Sequence, residues 1–355
     1  MVKTQQWLLN AHPDGLPTYR GSNSTFKMIE KDLPSVGSDQ VLVKAKYYSN
    51  DPAQRGWIDH YPDESRLYVP PVHTGDVMRA FGLAEVVESK SDKVKKGDLI
   101  RTLLNWTEYS VLDAKNVQLC DPLPQNVSPT QYLGALGLTG LTAYMGLLEV
   151  SQATKDDIVV VSGAAGATGS MVVQIAKKIV GCKKVIGIAG GQQKCDWVKK
   201  LGADECIDYK ASDFKQRLSK ATTEYANVYF DNVGGDILDF MLTRMARDGR
   251  IAACGAISQY NAKDSDDGDE IKNWFQVISM RLRIRGFIVN DFPWRVEEAQ
   301  KTLHKALEDG KLDITEGEHV VETRFEDVPA TWLKLFEGAN TGKLVTKLVG
   351  TAERL

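Results

Sequence analysis

Residues 157–178 read DIVVVSGAAGATGSMVVQIAKK, and three physical signals follow one another in that stretch. Ile158 to Val161 is a continuous β-branched apolar run, the pattern of a strand buried on both faces. A seven-residue turn rich in glycine and alanine comes next, and apolar residues at helical spacing follow it. Read from Ala164, the turn is A-x-G-x-x-G, a dinucleotide-binding fingerprint with alanine at its first glycine position. In that reading Gly166 lets the backbone approach a pyrophosphate, and Gly169 lets the helix pack closely on the strand. Ala167 and Thr168 lie between them, where the N–H groups of a helix start and its dipole face an anion.

Downstream, strand-like and helix-like segments alternate: KKVIGIAG, QQKCDWVKKLG, DECIDY, DFKQRLSKAT, NVYFDNVG, DILDFMLTRMARDG, RIAACGAI and RIRGFIV. Continuous apolar strands between amphipathic helices imply a parallel sheet covered on both faces, and right-handed crossovers make it doubly wound. The strand KKVIGIAG selects the dinucleotide. An NAD site places Asp or Glu at its end, to bond the ribose 2′-hydroxyl. Here it ends Ala189-Gly190-Gly191, followed by Gln192, Gln193 and Lys194. With no carboxylate to repel it and a lysine to pair with it, a 2′-phosphate is the expected ligand, hence NADPH.

Residues 1–128 carry short β-rich runs (QVLVKAKYYS, FGLAEVVES, DLIRTLL, WTEYSVL) between turn clusters, the signature of a partly open barrel. HVVETRF and KLVTKLV, near the C-terminus, are again strand-like, so the chain is expected to return to its first domain. The resulting division is a β-rich domain from residues 1–128 and 305–355, with an α/β domain at 129–304 inserted in it. The acidic segment NAKDSDDGDE, residues 261–270, reads as a solvated loop.

Composition narrows the function. Lys plus Arg number 44 against 47 Asp plus Glu, so bulk charge supplies no attraction to nucleic acid or anionic lipid. Apolar stretches are strand-sized, and the first ten residues lack the apolar core of a signal peptide. Five cysteines without a C-x-x-C pair fit a reducing compartment, and a cytoplasmic location is expected. The five histidines form no H-x-x-x-H pair, so no tightly held transition metal is expected.

Several separated motifs extend the reading: SNDPAQRGW (49–57), GDVMRAFG (75–82), YFDNVGG (229–235), CGAISQYN (254–261), GFIV (286–289) and GANTGK (338–343). With these the chain resembles, over nearly its full length, the medium-chain dehydrogenase/reductase superfamily. More closely, it is similar to the zinc-free NADPH-dependent alkenal/one double-bond reductases, which include prostaglandin/leukotriene, plant alkenal and curcumin reductases. The resemblance implies a Rossmann sheet inserted in a GroES-like barrel domain, and often a homodimer. It implies that Lys194 with Tyr209 holds the 2′-phosphate and that Asn232 lies along the cofactor ribose. Cys254, Gly255, Ala256, Ile257, Ser258 and Tyr260 are expected on the nicotinamide side. Phe287, Ile288 and Val289 are expected at the carboxamide, through backbone groups, and Asn340 reaches back from the C-terminal segment. Tyr48, Asn50, Arg55 and Tyr260 are expected near the substrate; Asn50 departs from the Val or Cys of many relatives. Zinc-dependent alcohol dehydrogenases share the architecture, but no cysteine precedes Cys120 here, so the first domain lacks thiolate ligands.

Metal-free chemistry suits an α,β-unsaturated carbonyl. Hydride from NADPH adds to the β-carbon, the charge spreads into an enolate, and the protein must stabilise the enolate oxygen and deliver a proton to the α-carbon. Tyr260, at the exit of RIAACGAIS, is the candidate donor, since a phenol is protonated at neutral pH; its alternative part is an aromatic wall. Arg55 has an alternative part pinning Asp51 or a backbone carbonyl. Cys254, on an inner strand, reads as a buried inert thiol. The leading reading is thus an NADPH-dependent enal/enone reductase acting on a small molecule. An NADPH:quinone reductase and a non-enzymatic NADPH-binding or RNA-binding protein are the alternatives.

Overall fold

The computed structural model describes residues 3–263 and 270–350. The chain divides into two compact units. One holds residues through Leu133, His319–Asn340 and the chain from Leu344; the other holds Gly134–Glu318 and Thr341–Lys343. Residues 264–269 of the acidic segment lie outside the described residues.

In the first unit β1 (Lys3–Leu9) pairs antiparallel with β2 (Phe26–Asp32). β3 (Gln40–Ser49) is followed by the short helix α1 (Gln54–Trp57), then β4 (Phe81–Ser89), β5 (Leu99–Leu103), β6 (Tyr109–Asp113) and β7 (Gln118–Leu119). β3 is the hub, because it pairs with β4 on one side and, on the other, with β6 along its first half and β15 at its end.

The second unit begins with α2 (Leu138–Met145), which continues in wider turns to Val150. β8 (Ile158–Val161) has all four residues buried, as its unbroken apolar run requires. α3 (Ala167–Gln174) also continues in wider turns, to Val180, and stops at Gly181 in the left-handed conformation, φ 77°. Then follow β9 (Lys184–Ala189), α4 (Gln192–Leu201), β10 (Glu205–Asp208), α5 (Phe214–Ala221), β11 (Ala226–Asp231) and α6 (Gly235–Leu242). β12 (Met245–Ala253), α7 (Phe275–Ser279), β13 (Arg283–Gly286) and α8 (Val296–Glu308) complete it. The strands pair in parallel in the order β10-β9-β8-β11-β12-β13, a doubly wound sheet. Strand order reverses between β8 and β11, which makes the carboxyl ends of those two strands the expected ligand crevice.

β14 (Glu318–Thr323), α9 (Val328–Leu333) and β15 (Lys343–Leu348) end the chain. The first unit's large sheet runs β14-β15-β3-β4-β5-β7, so the C-terminal strands do return to the N-terminal ones. Its core is aromatic: Trp106 lies 5.0 Å from Phe26 and 5.9 Å from Trp332, ring centre to ring centre. The division differs from the boundary expected at 304/305, which would cut α8 in two. Ala299, Leu303 and Ala306 of α8 are buried, and a Cβ on Gly140 of α2 would lie 3.2 Å from Leu303. Its apolar face therefore keeps the whole helix with the second unit.

The turn into α3 leaves no room at Gly169, where a Cβ would lie 2.2 Å from the Gly163 carbonyl oxygen. A Cβ on Gly286 would have nothing within 4 Å. Gly169→Ala is expected to lower stability by about 3 kcal/mol in urea unfolding, because backbone cannot move aside. Gly286→Ala should stay within about 0.5 kcal/mol. Equal stability for the two variants would show that the α3 contact is soft.

Candidate functional site

The glycine turn is held by backbone hydrogen bonds within the second unit. Ala164 N–H donates to Ile188 O at 3.0 Å, Gly166 N–H to Gly163 O at 2.9 Å, and Gly342 N–H to Ala165 O at 2.8 Å. Gly163 has φ 57°, and a Cβ there would press on Asn232 at 3.4 Å. Gly166 caps α3 in an extended conformation, so the first N–H groups of the helix, at Ala167 and Thr168, open toward the crevice. A Cβ at Gly166 would sit 3.2 Å from Gly163 O, so small residues are required along the whole turn. Such a start to a helix fits a pyrophosphate.

At the end of β9, where an NAD site carries a carboxylate, the chain has Ala189-Gly190-Gly191 and a cationic neighbourhood. The Tyr209 ring closes over Gly190, where a Cβ would lie 2.8 Å from it. Lys194 occupies the first turn of α4, half-buried; burial, and then the charge of Lys210, holds its ammonium below the ordinary lysine range. Two cations and the positive end of a helix thus lie in one neighbourhood, a setting that favours an anionic ligand. Asp208 is nearby, but its Oδ1 accepts from the Gly191 N–H at 2.7 Å and the Lys210 N–H at 2.9 Å. Those backbone bonds hold its carboxyl below the usual range and make it a brace for the cluster. The donor set fits the 2′-phosphate of NADPH.

At the ends of β11 and β12 the structure brings Asn232 together with residues 254–260. Asn232 Nδ2 donates to Ser162 O at 2.7 Å, while its carbonyl accepts from Ile257 N–H at 3.3 Å. Ser258 bonds Val233 O through its N–H at 3.2 Å and its hydroxyl at 2.7 Å. Cys254 and Gly255 donate their N–H groups to Asp231 O. The Tyr260 phenol oxygen accepts from Ala256 N–H at 3.2 Å, and a Cβ on Gly255 would meet it at 3.1 Å. Burial, then the charge of Asp231, pushes the Cys254 thiol up to about 12, so it is a poor nucleophile. Phe287 packs its ring 6.2 Å from Phe230, and the Ile288 N–H is engaged by Asp291 at 3.0 Å. Val289 is buried beside them.

Three residues expected at the substrate are buried and hydrogen-bonded within the first unit. Tyr48 is fully buried and donates its hydroxyl to Thr107 O at 2.6 Å. Asn50 donates to Thr346 Oγ1 at 3.0 Å, and its N–H pairs with Leu344 O. Arg55 donates to Gly15 O at 3.1 Å and pairs with Asp59 at 3.3 Å, so it does pin a backbone carbonyl. Asn340 is half-buried in that unit's C-terminal segment. Among the described residues no group of three or more His, Cys, Asp or Glu is arranged to hold a metal ion.

Sequence reasoning passed over Ser162, Tyr229 and Asp231, which fix the crevice floor. A signal for Asp231 was present: an acid closing the apolar run VYF has no reason to be there unless its carboxylate is bonded. Lys210 gave no such signal, since a lysine after a strand is ordinarily solvated.

Known proteins resemble this chain over nearly its full length. Residues 5–120 match the family described as N-terminal domain of oxidoreductase, and residues 167–308 match the one described as zinc-binding dehydrogenase. The chain is 34% identical to an NADPH-dependent curcumin reductase of Escherichia coli, with 98% of each covered. It is 36% identical to prostaglandin reductase 1 of Mus musculus, over 98% of this chain and 100% of that protein. A crystal structure of CurA from Vibrio vulnificus in complex with NADPH superposes with a TM-score of 0.86 at 34% identity, covering 97% of this chain and 99% of that one. An Escherichia coli quinone oxidoreductase, 21% identical with a TM-score of 0.72, shares the fold. The chain therefore belongs to the zinc-free enone and alkenal reductase branch of the medium-chain dehydrogenase/reductases, the family of the curcumin and prostaglandin reductases.

Proposed function

We propose that this NADPH-dependent oxidoreductase reduces the C=C bond of α,β-unsaturated aldehydes and ketones without a metal. The observation that carries the reading is the cationic, carboxylate-braced end of β9, where Lys194, Tyr209 and Lys210 suit a 2′-phosphate. The named activities of the full-length relatives support the substrate class.

NADPH, when bound, supplies the hydride that adds to the β-carbon. The chain's own part is to hold the conjugated carbonyl and to manage the charge that reaches its oxygen. Tyr260 donates its phenol proton toward that oxygen or, in the second step, toward the α-carbon. Ala256 N–H, on the same phenol oxygen at 3.2 Å, stabilises the negative charge that develops there as the proton leaves. The bonds from residues 257 and 258 to Asn232 and Val233 keep this donor segment in register with the crevice. The α-carbon keeps the proton it receives, so each turnover takes up one proton from solvent, which restores the Tyr260 phenol.

A second copy of the chain is the expected partner. β13 closes one side of the parallel sheet with all four residues exposed, and Trp274, Phe275 and Ile278 of the preceding segment are exposed large apolar groups. An open edge beside apolar side chains is the surface a two-fold partner covers. Sedimentation of the protein should give a dimer; a 39.3 kDa species at all concentrations would remove this part of the proposal.

NADPH oxidation should occur with 2-alkenals and enones; turnover of quinones alone, or binding without turnover, would overturn the reading. Lys194→Ala should raise the KM for NADPH about ten- to a hundredfold and leave that for NADH unchanged. An equal loss for both cofactors would show that Lys194 does not read the 2′-phosphate. Tyr260→Phe should lower kcat about a hundredfold with NADPH affinity retained. If kcat held steady, Tyr260 would be an aromatic wall.

A further inference from the structure

At the point where strand order reverses, Ser162 follows β8, Asp231 ends β11, and the two are bonded across the gap, Ser162 Oγ to Asp231 Oδ1, at 2.9 Å. The same oxygen accepts from the Tyr229 hydroxyl at 2.8 Å and from the Val233 and Gly234 N–H groups, each at 3.1 Å. Asp231 is 1% exposed, and among the described residues it forms no ion pair with Lys, Arg or His. Four donors on one oxygen are what a buried carboxylate needs to remain an anion.

The charge exceeds what the architecture requires. Asn232 has an anchor that does not involve it, since its side chain donates to Ser162 O at 2.7 Å. A neutral amide oxygen would accept the same four bonds. What only the carboxylate adds is a negative field, undiluted by any counter-ion and little screened by water, under the crevice at the carboxyl ends of β8 and β11.

We infer that Asp231 is a redox-tuning residue, a buried anion that favours the oxidised, cationic nicotinamide over the reduced, neutral one. It acts by field and not by contact, so it makes the cofactor a stronger hydride donor while touching neither reacting atom. The inference rests on the proposed NADPH dependence and extends it to the balance between the two cofactor forms.

The test needs no substrate. Full-length wild-type protein and Asp231→Asn are titrated with NADPH by fluorescence and with NADP+ by calorimetry, and thermal melts of the apo proteins are recorded. Asp231→Asn keeps the acceptor oxygen and removes the charge, so Kd(NADP+)/Kd(NADPH) should rise about tenfold. For a two-electron couple that change corresponds to about 30 mV. Both dissociation constants moving by one common factor would overturn the inference, because loss of packing does not discriminate between the two forms. Tyr229→Phe keeps the charge and removes one donor that screens it, so the ratio should fall about twofold. This variant decides the matter if Asp231→Asn does not fold, and an unchanged or raised ratio in it overturns the inference. Wild-type protein that binds neither form would instead overturn the proposed function itself.

Discussion

The approach of α3 to the turn after β8 is the contact on which the rest of this molecule depends. At Gly169 the helix lies so near the Gly163 carbonyl that no side chain fits, and that proximity aims the helix start at the crevice. Were α3 to stand farther off, the N–H groups of Ala167 and Thr168 would open to water instead of to a ligand. The wider turns at the far end of α3, closed by Gly181 in the left-handed conformation, finish the helix without disturbing its start. One steric constraint thus places the most important fixed positive potential of the nucleotide site.

Charge along the carboxyl edge of the sheet is divided. At the end of β9 the structure gathers Lys194, Lys210 and the start of α4, with Asp208 turned into a brace by backbone N–H groups. At the end of β11 it buries Asp231 among hydroxyl and amide donors without a cation. A dinucleotide has a matching polarity, with its phosphates at one end and a ring that becomes cationic on oxidation at the other. The two ends are joined by neutral, densely bonded backbone, in which residues 254–258 lean on Asp231, Asn232 and Val233. On the proposed reading, affinity and reactivity are set in different places on one edge, and each is open to substitution without the other.

The legible parts were those governed by neighbours in the chain. The buried strand at Ile158–Val161, the glycine turn and the absence of an acid after β9 are all local, and each has a single steric or electrostatic meaning. Tyr48, Asn50 and Arg55 show the opposite case. As polar or amphipathic residues near a family motif they read as pocket groups, yet their hydrogen bonds go to Thr107, Thr346 and Gly15, far away in sequence. Those partners are set by how the first unit folds and not by the motif itself. The limit of the inserted unit belongs to the same class, since α8 is assigned by which face packs on α2 and not by where its residues fall.

The amino-acid order by itself determined the doubly wound sheet, the phosphate turn and the preference for an extra phosphate, because strand periodicity, glycine sterics and the sign of a charge act within a few residues. Tertiary structure alone decided that Lys210 joins Lys194, that Ala256 supports the Tyr260 phenol, and that Asp231 is sealed beneath the crevice. Desolvation and hydrogen-bond partnership are properties of where folded segments meet, and a linear chain does not carry them in any one residue.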